Sequence, residues 1–487
     1  MPLKTYRILI GGKWVVSDSG ETFASLNPAT EKPLGRFQQG TESDVERAVR
    51  AAKKGFEKWR RIPAPKRGLV LLRFASLLRR KKEFLARLLT QEMGKVLPEA
   101  RGDVQEAIDT AEYIAGEGRR LWGRTTPSEL PEKFCMTTRT PFGVAGLITP
   151  WNFPYAIPSW KMMPALICGN SVVFKPASDT PLTAITFVRL LEKAGLPKGV
   201  VNLVTGPGST VGSAIVKHPE IRTISFTGSR DIGLRVSRDA GLKKVSLELG
   251  GKNGIIVMDD ADLNLALDGV LWGAFGTTGQ RCTATSRAIV HKKVKDRFEK
   301  MLVSRIKKLR LGNGLDPRTD VGPQINKRAV EKTHNHTQIG ISEGAKLLTG
   351  GRAPNTKGFF YQPTLFTDVS PDMRIAQEEI FGPTLSLIPV KNLDEAIDVM
   401  NSIRYGLSSA IYTSNIRNAF LAVERIEAGL TYINSSTIGS EVHLPFGGVK
   451  DTGHGKEAGW AAIEEFSEEK TVYFDYSGKL QKAQIDS

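Results

Sequence analysis

Only three cysteines, Cys135, Cys168 and Cys282, occur in the 487 residues. They lie far apart and none belongs to a Cys-x-x-Cys pair, which leaves a disulfide scaffold, a zinc site and a redox pair without support. No metal site is expected. No apolar run reaches the roughly 20 residues that a membrane helix needs, so no membrane association is expected. The opening Met1-Pro2-Leu3-Lys4-Thr5-Tyr6 lacks the long apolar core of a secretion signal. With an odd cysteine count, this points to a reducing cytoplasm and leaves room for a nucleophilic thiol. There is no internal repeat and no low-complexity linker.

Hydrophobic residues make up 40% of the chain and charged residues 24%, an ordinary composition for a globular protein. A chain of this length buries a large core unaided. At about 100–200 residues per domain, it holds two to four domains. The 68 Lys and Arg against 51 Asp and Glu give a net charge of +17. Nucleic-acid binding is the sharp reading of that excess. The basic residues are nevertheless spread along the whole chain, and the densest run, Arg79-Arg80-Lys81-Lys82, falls in a Leu-rich helical pattern as a solvated face. No nucleic-acid signature accompanies it, so no nucleic-acid partner is expected. An anionic cofactor or substrate would gain from the same field.

Residues 8–40 read as short strands and turns, with Gly11-Gly12-Lys13-Trp14 as a hairpin turn. Ser43 and Glu46 form a capping-box pattern, followed by Val45, Ala48, Val49, Ala52, Phe56 and Trp59 at helical spacing. Two longer helices are predicted over 66–93 and 99–119. From Val144 the texture changes. Strands at Val144–Thr149, Ser171–Lys175, Val200–Thr205, Ile221–Thr227 and Lys244–Glu248 alternate with helices at 158–168, 181–194, 209–217 and 232–240. Such alternation predicts a doubly wound parallel sheet, hence an α/β fold. A second α/β run occupies 252–450, with strands near Ile255–Met258, Ala288–His291, Thr384–Val390 and Ser409–Tyr412.

Several segments carry chemistry. Cys282 sits in Phe275-Gly276-Thr277-Thr278-Gly279-Gln280-Arg281-Cys282-Thr283, where two glycines and small hydroxyl residues leave the backbone open beside the thiol. The plainer reading is a buried structural cysteine. Glu248 ends a strand at Leu249-Gly250-Gly251, where ligands of such sheets bind and where a carboxylate can serve as a base. Taken alone, it is more commonly a surface turn residue. Asn152 lies in Thr149-Pro150-Trp151-Asn152-Phe153-Pro154, its turn restricted by two prolines, and its amide could donate to an oxyanion. Lys175 ends a strand, well placed for ribose hydroxyls or a phosphate. Gly206-Pro207-Gly208-Ser209-Thr210-Val211-Gly212 is a weak version of a dinucleotide-binding glycine pattern, with Val211 at the usual third glycine. Thr227-Gly228-Ser229 opens a helix and could hold a pyrophosphate. Glu378-Glu379-Ile380-Phe381-Gly382-Pro383 and Pro445-Phe446-Gly447-Gly448 offer acids, aromatics and glycines, and either alone is more often structural.

Together these segments resemble the aldehyde dehydrogenase superfamily over about residues 8–475, with PWNFP, KPAS, FTGS, LELGGK, GQRC, EEIFGP and PFGG in the family's order. The resemblance implies Cys282 as nucleophile, Glu248 as general base, and the Asn152 side chain with the Cys282 backbone N–H as the oxyanion hole. For the cofactor it implies Lys175 and Glu379 at the riboses, Phe381 beside the nicotinamide, and Gly228 and Ser229 at the pyrophosphate. Thr149, Pro150, Trp151, Thr227, Ile232 and Leu249 line the same cleft, with Gly208 and Gly212 from the glycine-rich turn. Phe153 and Phe446 match aromatics of the substrate tunnel. It also implies a cofactor domain over 1–120 and 142–250, a catalytic domain over 251–450, and a small oligomerisation sheet from 121–141 and 451–487, assembling into homodimers or homotetramers. The tail from Gly478 is expected to lie over a neighbouring subunit.

The implied reaction oxidises an aldehyde to its acid through a thiohemiacetal and a thioester on Cys282, with NAD or NADP as oxidant. A CoA-acylating enzyme is a rival that Glu248 argues against, and a non-catalytic structural protein would need none of the Cys, Glu and Asn set. Arg281 and Asn434–His443 look like those of 2-oxoglutarate semialdehyde and succinic semialdehyde enzymes, and an arginine there could read a distal carboxylate. An arginine turned away to a surface or interface partner is the plainer alternative. Aromatic and general aliphatic aldehydes stay open as substrates. In members strict for NAD⁺, the position of Ser178 is often a glutamate. Its charge would repel a 2′-phosphate by about 4 kcal/mol at about 4 Å and a surface-like dielectric, so Ser178 favours NADP.

Overall fold

The computed structural model describes residues 3–485. Residues 1, 2, 486 and 487, at the ends of the spans expected at 1–120 and 451–487, lie outside the described residues. An eight-stranded sheet and a seven-stranded sheet dominate the fold, beside two three-stranded sheets and a two-stranded one. In the eight-stranded sheet the order is Gly453–His454, Lys244–Glu248, Ile221–Thr227, Val144–Ile148, Ser171–Lys175, Val201–Leu203, Ile8–Ile10 and Lys13–Val15. Its five central strands are parallel. Apolar clusters cover both faces, one built on the helices Ala64–Met93, Leu97–Glu117, Ala156–Cys168 and Pro181–Lys193 and one on the opposite side. That double cover is why Val144–Ile148 and Ser171–Lys175 are buried at every position and why their central residues are all apolar or glycine.

The seven-stranded sheet runs Lys346–Thr349, Thr364–Thr367, Thr384–Val390, Thr285–His291, Asn253–Val257, Ser408–Tyr412 and Leu430–Ile433, parallel except at its first pair. It too is covered on both faces. The doubly wound α/β architecture expected from the alternation is present. A three-stranded antiparallel sheet joins Thr125–Pro127, Lys133–Pro141 and Ser467–Asp475. The described part of the tail turns back on this same sheet, where Gln481 donates to the Pro131 carbonyl at 2.8 Å. Among the described residues no helix is long and apolar enough to cross a membrane.

Gly11 and Gly12 take φ values of 61° and 77° and close the hairpin between Ile8–Ile10 and Lys13–Val15, as a two-residue turn of this twist requires. The following helix starts earlier than its capping pattern suggested. It spans Glu42–Trp59, with Thr41 rather than Ser43 as the cap and Asp44 rather than Glu46 as its partner. Asp44 wins because it is buried and its carboxylate accepts from Thr41 N at 2.9 Å and from Ser17 Oγ at 2.5 Å, whereas the half-buried Glu46 is engaged by Arg50 and His218. The edge pairing of Gly453–His454 with Leu247–Glu248 also draws part of the 451–487 span into the eight-stranded sheet.

Candidate active site

The strand Val144–Ile148 comes first in the parallel set and Ile221–Thr227 fourth, yet they are neighbours. The strand order therefore reverses between them, and ligands of open α/β sheets bind beyond the carboxyl ends at such a point. The register pairs Ile148 with Lys175 and Phe226, and Thr227 with Glu248, so four strands finish side by side. A cavity of about 370 Å³ opens there, lined by Ile148, Gly208, Gly212, Phe226, Ile232 and Val236 among others. A second, of about 320 Å³, collects Pro150, Trp151, Asn152, Thr227, Gly228, Ser229, Leu249, Cys282, Glu379 and Phe381. These residues come from five separate stretches of chain.

The two cavities fit a dinucleotide. The first is a mainly apolar slot beside the glycine-rich turn, suited to an aromatic base. At the start of the helix Arg230–Asp239, Ser229 is the cap residue but no side chain satisfies the first N–H groups, leaving them for an anion. The buried Thr227 hydroxyl next to it has no partner in the protein. Trp151 and Phe381 meet edge to face, 5.5 Å between ring centres, in the wall of the second cavity. Phe381 holds a φ of 62°, unusual for a bulky residue, and such strain is commonly kept at functional sites.

Cys282 follows a tight turn, Gly276–Gly279, at the end of the helix Leu263–Phe275. Thr277, Thr278 and Gly279 all take left-handed φ values. Gln280 pins this loop by donating to Thr277 O and Pro323 O and accepting from Ile325 N. The buried Asn152 donates from Nδ2 to Gln280 O at 3.1 Å, two residues before the thiol, and its Oδ1 has no partner. Two glycines of the LELGGK stretch permit the assembly. A Cβ on Gly250 would stand 2.7 Å from Glu379 Oε2, and one on Gly251 would stand 2.4 Å from the Cys282 carbonyl oxygen. Gly251 N donates to Glu379 Oε1 at 2.9 Å. Burial raises the thiol's pKa well above its ordinary value, and the nearby Glu248, Glu379 and Glu457 carboxylates push the same way.

Glu248 lies behind this cavity rather than in its lining. It is 3% exposed, and neither carboxylate oxygen has a hydrogen-bond partner. A Cβ on Gly447 would stand 2.5 Å from its Oε1, so the PFGG stretch is backbone brought against the carboxylate. Burial raises the Glu248 pKa, as does the adjoining Glu457, while Lys161 opposes them. Lys161 and Glu457 form a buried ion pair, and Lys161 Nζ also donates to Ser225 Oγ at 2.7 Å. Sequence reasoning passed over this pair, although a lone lysine inside the otherwise apolar helix Ala156–Cys168 was a signal. Glu457 offered none.

Three cofactor expectations lie outside both linings. Thr149 is buried, its N–H donating to Lys175 O at 3.2 Å. Lys175 is buried, its Nζ donates to Pro176 O at 2.9 Å, and burial pulls its pKa down to about 8. Ser178 Oγ donates to Gly206 O at 3.2 Å, closing the turn before the glycine-rich stretch. The substrate expectations divide. Phe446 is buried against Trp160, 4.8 Å between ring centres, in an apolar cluster with Ile157 and Leu407 that also touches Phe153 and Cys282. Phe153 and Arg281 line a third cavity of about 640 Å³ on the other side, with Glu99, Glu106 and Glu441. Arg281 Nη2 pairs with Glu99 at 3.3 Å, and its guanidinium lies 5.1 Å from the Phe153 ring centre. Glu99, Arg328 and Lys332 were also unforeseen, since charged residues near the starts of helices carry no distinctive pattern. Among the described residues no group of three or more His, Cys, Asp or Glu is placed to hold a metal ion.

A family model described as "Aldehyde dehydrogenase family" matches residues 14–472. The alpha-ketoglutaric semialdehyde dehydrogenase of Bacillus subtilis is 43% identical over 477 residues, covering 96% of this chain and 98% of that one. Retinaldehyde dehydrogenase 3 of Mus musculus is also 43% identical, over 479 residues, covering 97% and 93%. A betaine aldehyde dehydrogenase of Staphylococcus aureus, solved in complex with NAD⁺, superposes with a TM-score of 0.96 at 36% identity, covering 98% of this chain and 96% of that one.

Proposed function

Because the chain belongs to the aldehyde dehydrogenase family, we propose that it oxidises a carboxylate-bearing semialdehyde to the acid on Cys282. The observation that carries the reading is the convergence of Cys282, Asn152, Glu379, Phe381 and the Gly228-Ser229 turn on one cavity. Arg281 at the neighbouring mouth supplies the only specific reader of a distal carboxylate in the proposal, and the Bacillus subtilis relative is named for such a substrate.

The sulfur of Cys282 bonds to the aldehyde carbon as the thiol proton leaves to a base. The second N–H of Asn152 and the Cys282 backbone N–H receive the negative charge that develops on the carbonyl oxygen, a contribution of about 3–4 kcal/mol for one such donor. A bound nicotinamide dinucleotide supplies the oxidant that turns the thiohemiacetal into a thioester. Trp151, Phe381, Glu379 and the Gly228-Ser229 turn hold and orient it. Glu248 then takes a proton from water, the water oxygen bonds to the acyl carbon as the carbon–sulfur bond breaks, and the departing sulfur receives that proton and leaves as thiol. Its raised pKa suits this task, because a stronger base abstracts that proton more readily once ionised. NADP⁺ is the favoured cofactor in this reading, since Ser178 places no carboxylate where one would repel a 2′-phosphate. The three-stranded sheet with its exposed Phe134, Tyr473 and Phe474 is the surface through which the chain assembles as a homodimer or homotetramer.

A substrate panel tests the reading. Purified protein with NADP⁺ or NAD⁺ should reduce the cofactor with succinic or 2-oxoglutarate semialdehyde at a higher kcat/KM than with an uncharged aldehyde of similar length. Arg281→Leu should remove that preference. No reduction with any aldehyde, or no change on Arg281→Leu, would overturn the activity or the substrate class respectively.

A further inference from the structure

Glu99 stands in the first turn of the helix Leu97–Glu117 and does two things at once. Both its oxygens accept the Thr277 N–H at 2.9 Å, and Thr277 Oγ1 donates to it at 3.2 Å. These bonds hold a left-handed, non-glycine residue five positions before the nucleophile. The same carboxylate pairs with Arg281 Nη2 at 3.3 Å, while Arg281 Nε donates to Thr277 Oγ1 at 3.0 Å. The two side chains are only 13% and 15% exposed, so the pair is poorly screened by water.

Among the described residues one other cation lies at the Phe153 ring, and it is committed. Lys95 Nζ is wholly buried on Asp103 at 2.9 Å, and it sits 3.6 Å from the Phe153 ring centre. Arg281 is different. Its Nε and Nη2 are in use, while Nη1 makes none of the described hydrogen bonds. A carboxylate that binds a guanidinium through both terminal nitrogens needs Nη1 and Nη2 together. Nη2 carries two N–H groups, so such a carboxylate shares Nη2 with Glu99 and meets a guanidinium whose charge Glu99 already partly neutralises. We propose that Glu99 is a selectivity-setting residue, an internal carboxylate that competes with the substrate's distal carboxylate for Arg281. This rests on the reading of the substrate as a carboxylate-bearing aldehyde. Glu99 holds the guanidinium neutralised and in place when no anionic substrate is bound. It also weakens the site for any carboxylate that must share the guanidinium with it, so the affinity for the charged arm reflects the contest for that charge rather than Arg281 alone.

The test is the ratio of KM for succinic semialdehyde to KM for an uncharged aldehyde of like length, measured in the wild type and four variants. Glu99→Gln keeps an oxygen for the Thr277 N–H and gives up the charge facing Arg281. It should lower the ratio by about fivefold, the upper range for a single ion pair near the surface. Glu99→Asp keeps a carboxylate for Thr277 but falls short of Arg281, and should move the ratio the same way even if the glutamine variant folds poorly. In an Arg281→Leu background, Glu99→Gln should leave the ratio unchanged. Parallel changes in both KM values, or a rise in the ratio, would overturn the proposal and leave Glu99 as an anchor of the loop. If Arg281→Leu alone does not alter the ratio, the carboxylate reading itself fails. If it does while neither Glu99 variant lowers the ratio, only the competition fails.

Discussion

Asn152→Ala removes one donor from the developing oxyanion with little else disturbed. The side chain is 2% exposed, and its single bond in the structure runs from Nδ2 to Gln280 O at 3.1 Å. Gln280 keeps its bonds to Thr277, Pro323 and Ile325, so the loop carrying Cys282 stays pinned. Loss of that buried bond should lower stability by about 1–2 kcal/mol, which a domain of this size tolerates. The catalytic loss is larger. One oxyanion donor is worth about 2.7–4 kcal/mol, or roughly 10²–10³ in kcat. The charge on oxygen is absent in the free aldehyde, so KM should change by less than about threefold. Stopped-flow measurement of the first turnover should show the loss in formation of the reduced cofactor, before any hydrolysis. A thermal melt on the same sample checks the fold. A first-turnover rate within about fivefold of wild type, or a loss found entirely in KM, would refute the role of the amide.

Three further outcomes are expected. Ser178→Glu should turn the preference from NADP⁺ to NAD⁺ by about tenfold or more in kcat/KM, through repulsion of the 2′-phosphate and loss of the hydroxyl that donates to Gly206 O; an unchanged ratio would show that this residue does not read the phosphate. Alkylation of Cys282 by iodoacetamide in the free enzyme should rise steadily with pH and reach no plateau below the ordinary thiol value of 9.0, because burial and three carboxylates disfavour the thiolate; a plateau near neutrality would contradict that environment. Gly447→Ala should lower the rate of thioester hydrolysis, since its φ of 150° and a Cβ at 2.5 Å from Glu248 Oε1 force the carboxylate to move; an unaltered steady-state rate would show that the close approach is not needed.

Much of the fold was legible because burial on both faces leaves a plain mark. Ser171–Lys175 and Thr384–Val390 are largely apolar, Ile221–Thr227 and Lys244–Glu248 carry β-branched and apolar residues between helical segments, and the bounds of all four in the structure coincide with those read from sequence. The cap of the first long helix was misplaced because two local patterns competed two residues apart, and a tertiary contact, Ser17 on Asp44, chose between them. The glycine motifs pointed to close approach but could not say of what. Gly250, Gly251 and Gly447 each face a group from a distant part of the chain. The Lys161–Glu457 pair joins residues 296 apart, and Glu99 reaches a loop 178 positions on. Long-range pairings of that kind follow from the packing of two sheets and leave no local spacing to read. The same holds for Ser178, whose bond to Gly206 depends on how two turns meet.

The central claim is that the aldehyde carbon becomes bonded to Cys282 and that Glu248 is needed to release it. Glu248→Gln separates those steps, because an amide cannot accept the proton of water while the thiol is untouched. The variant should be mixed with succinic semialdehyde and cofactor, quenched in acid, digested and weighed by mass spectrometry. The account predicts one equivalent of reduced cofactor and an acyl group of the substrate's mass on the peptide containing Cys282, absent in Glu248→Gln carrying Cys282→Ala. An acyl group on any other residue, or full turnover with no adduct on Cys282, would contradict it.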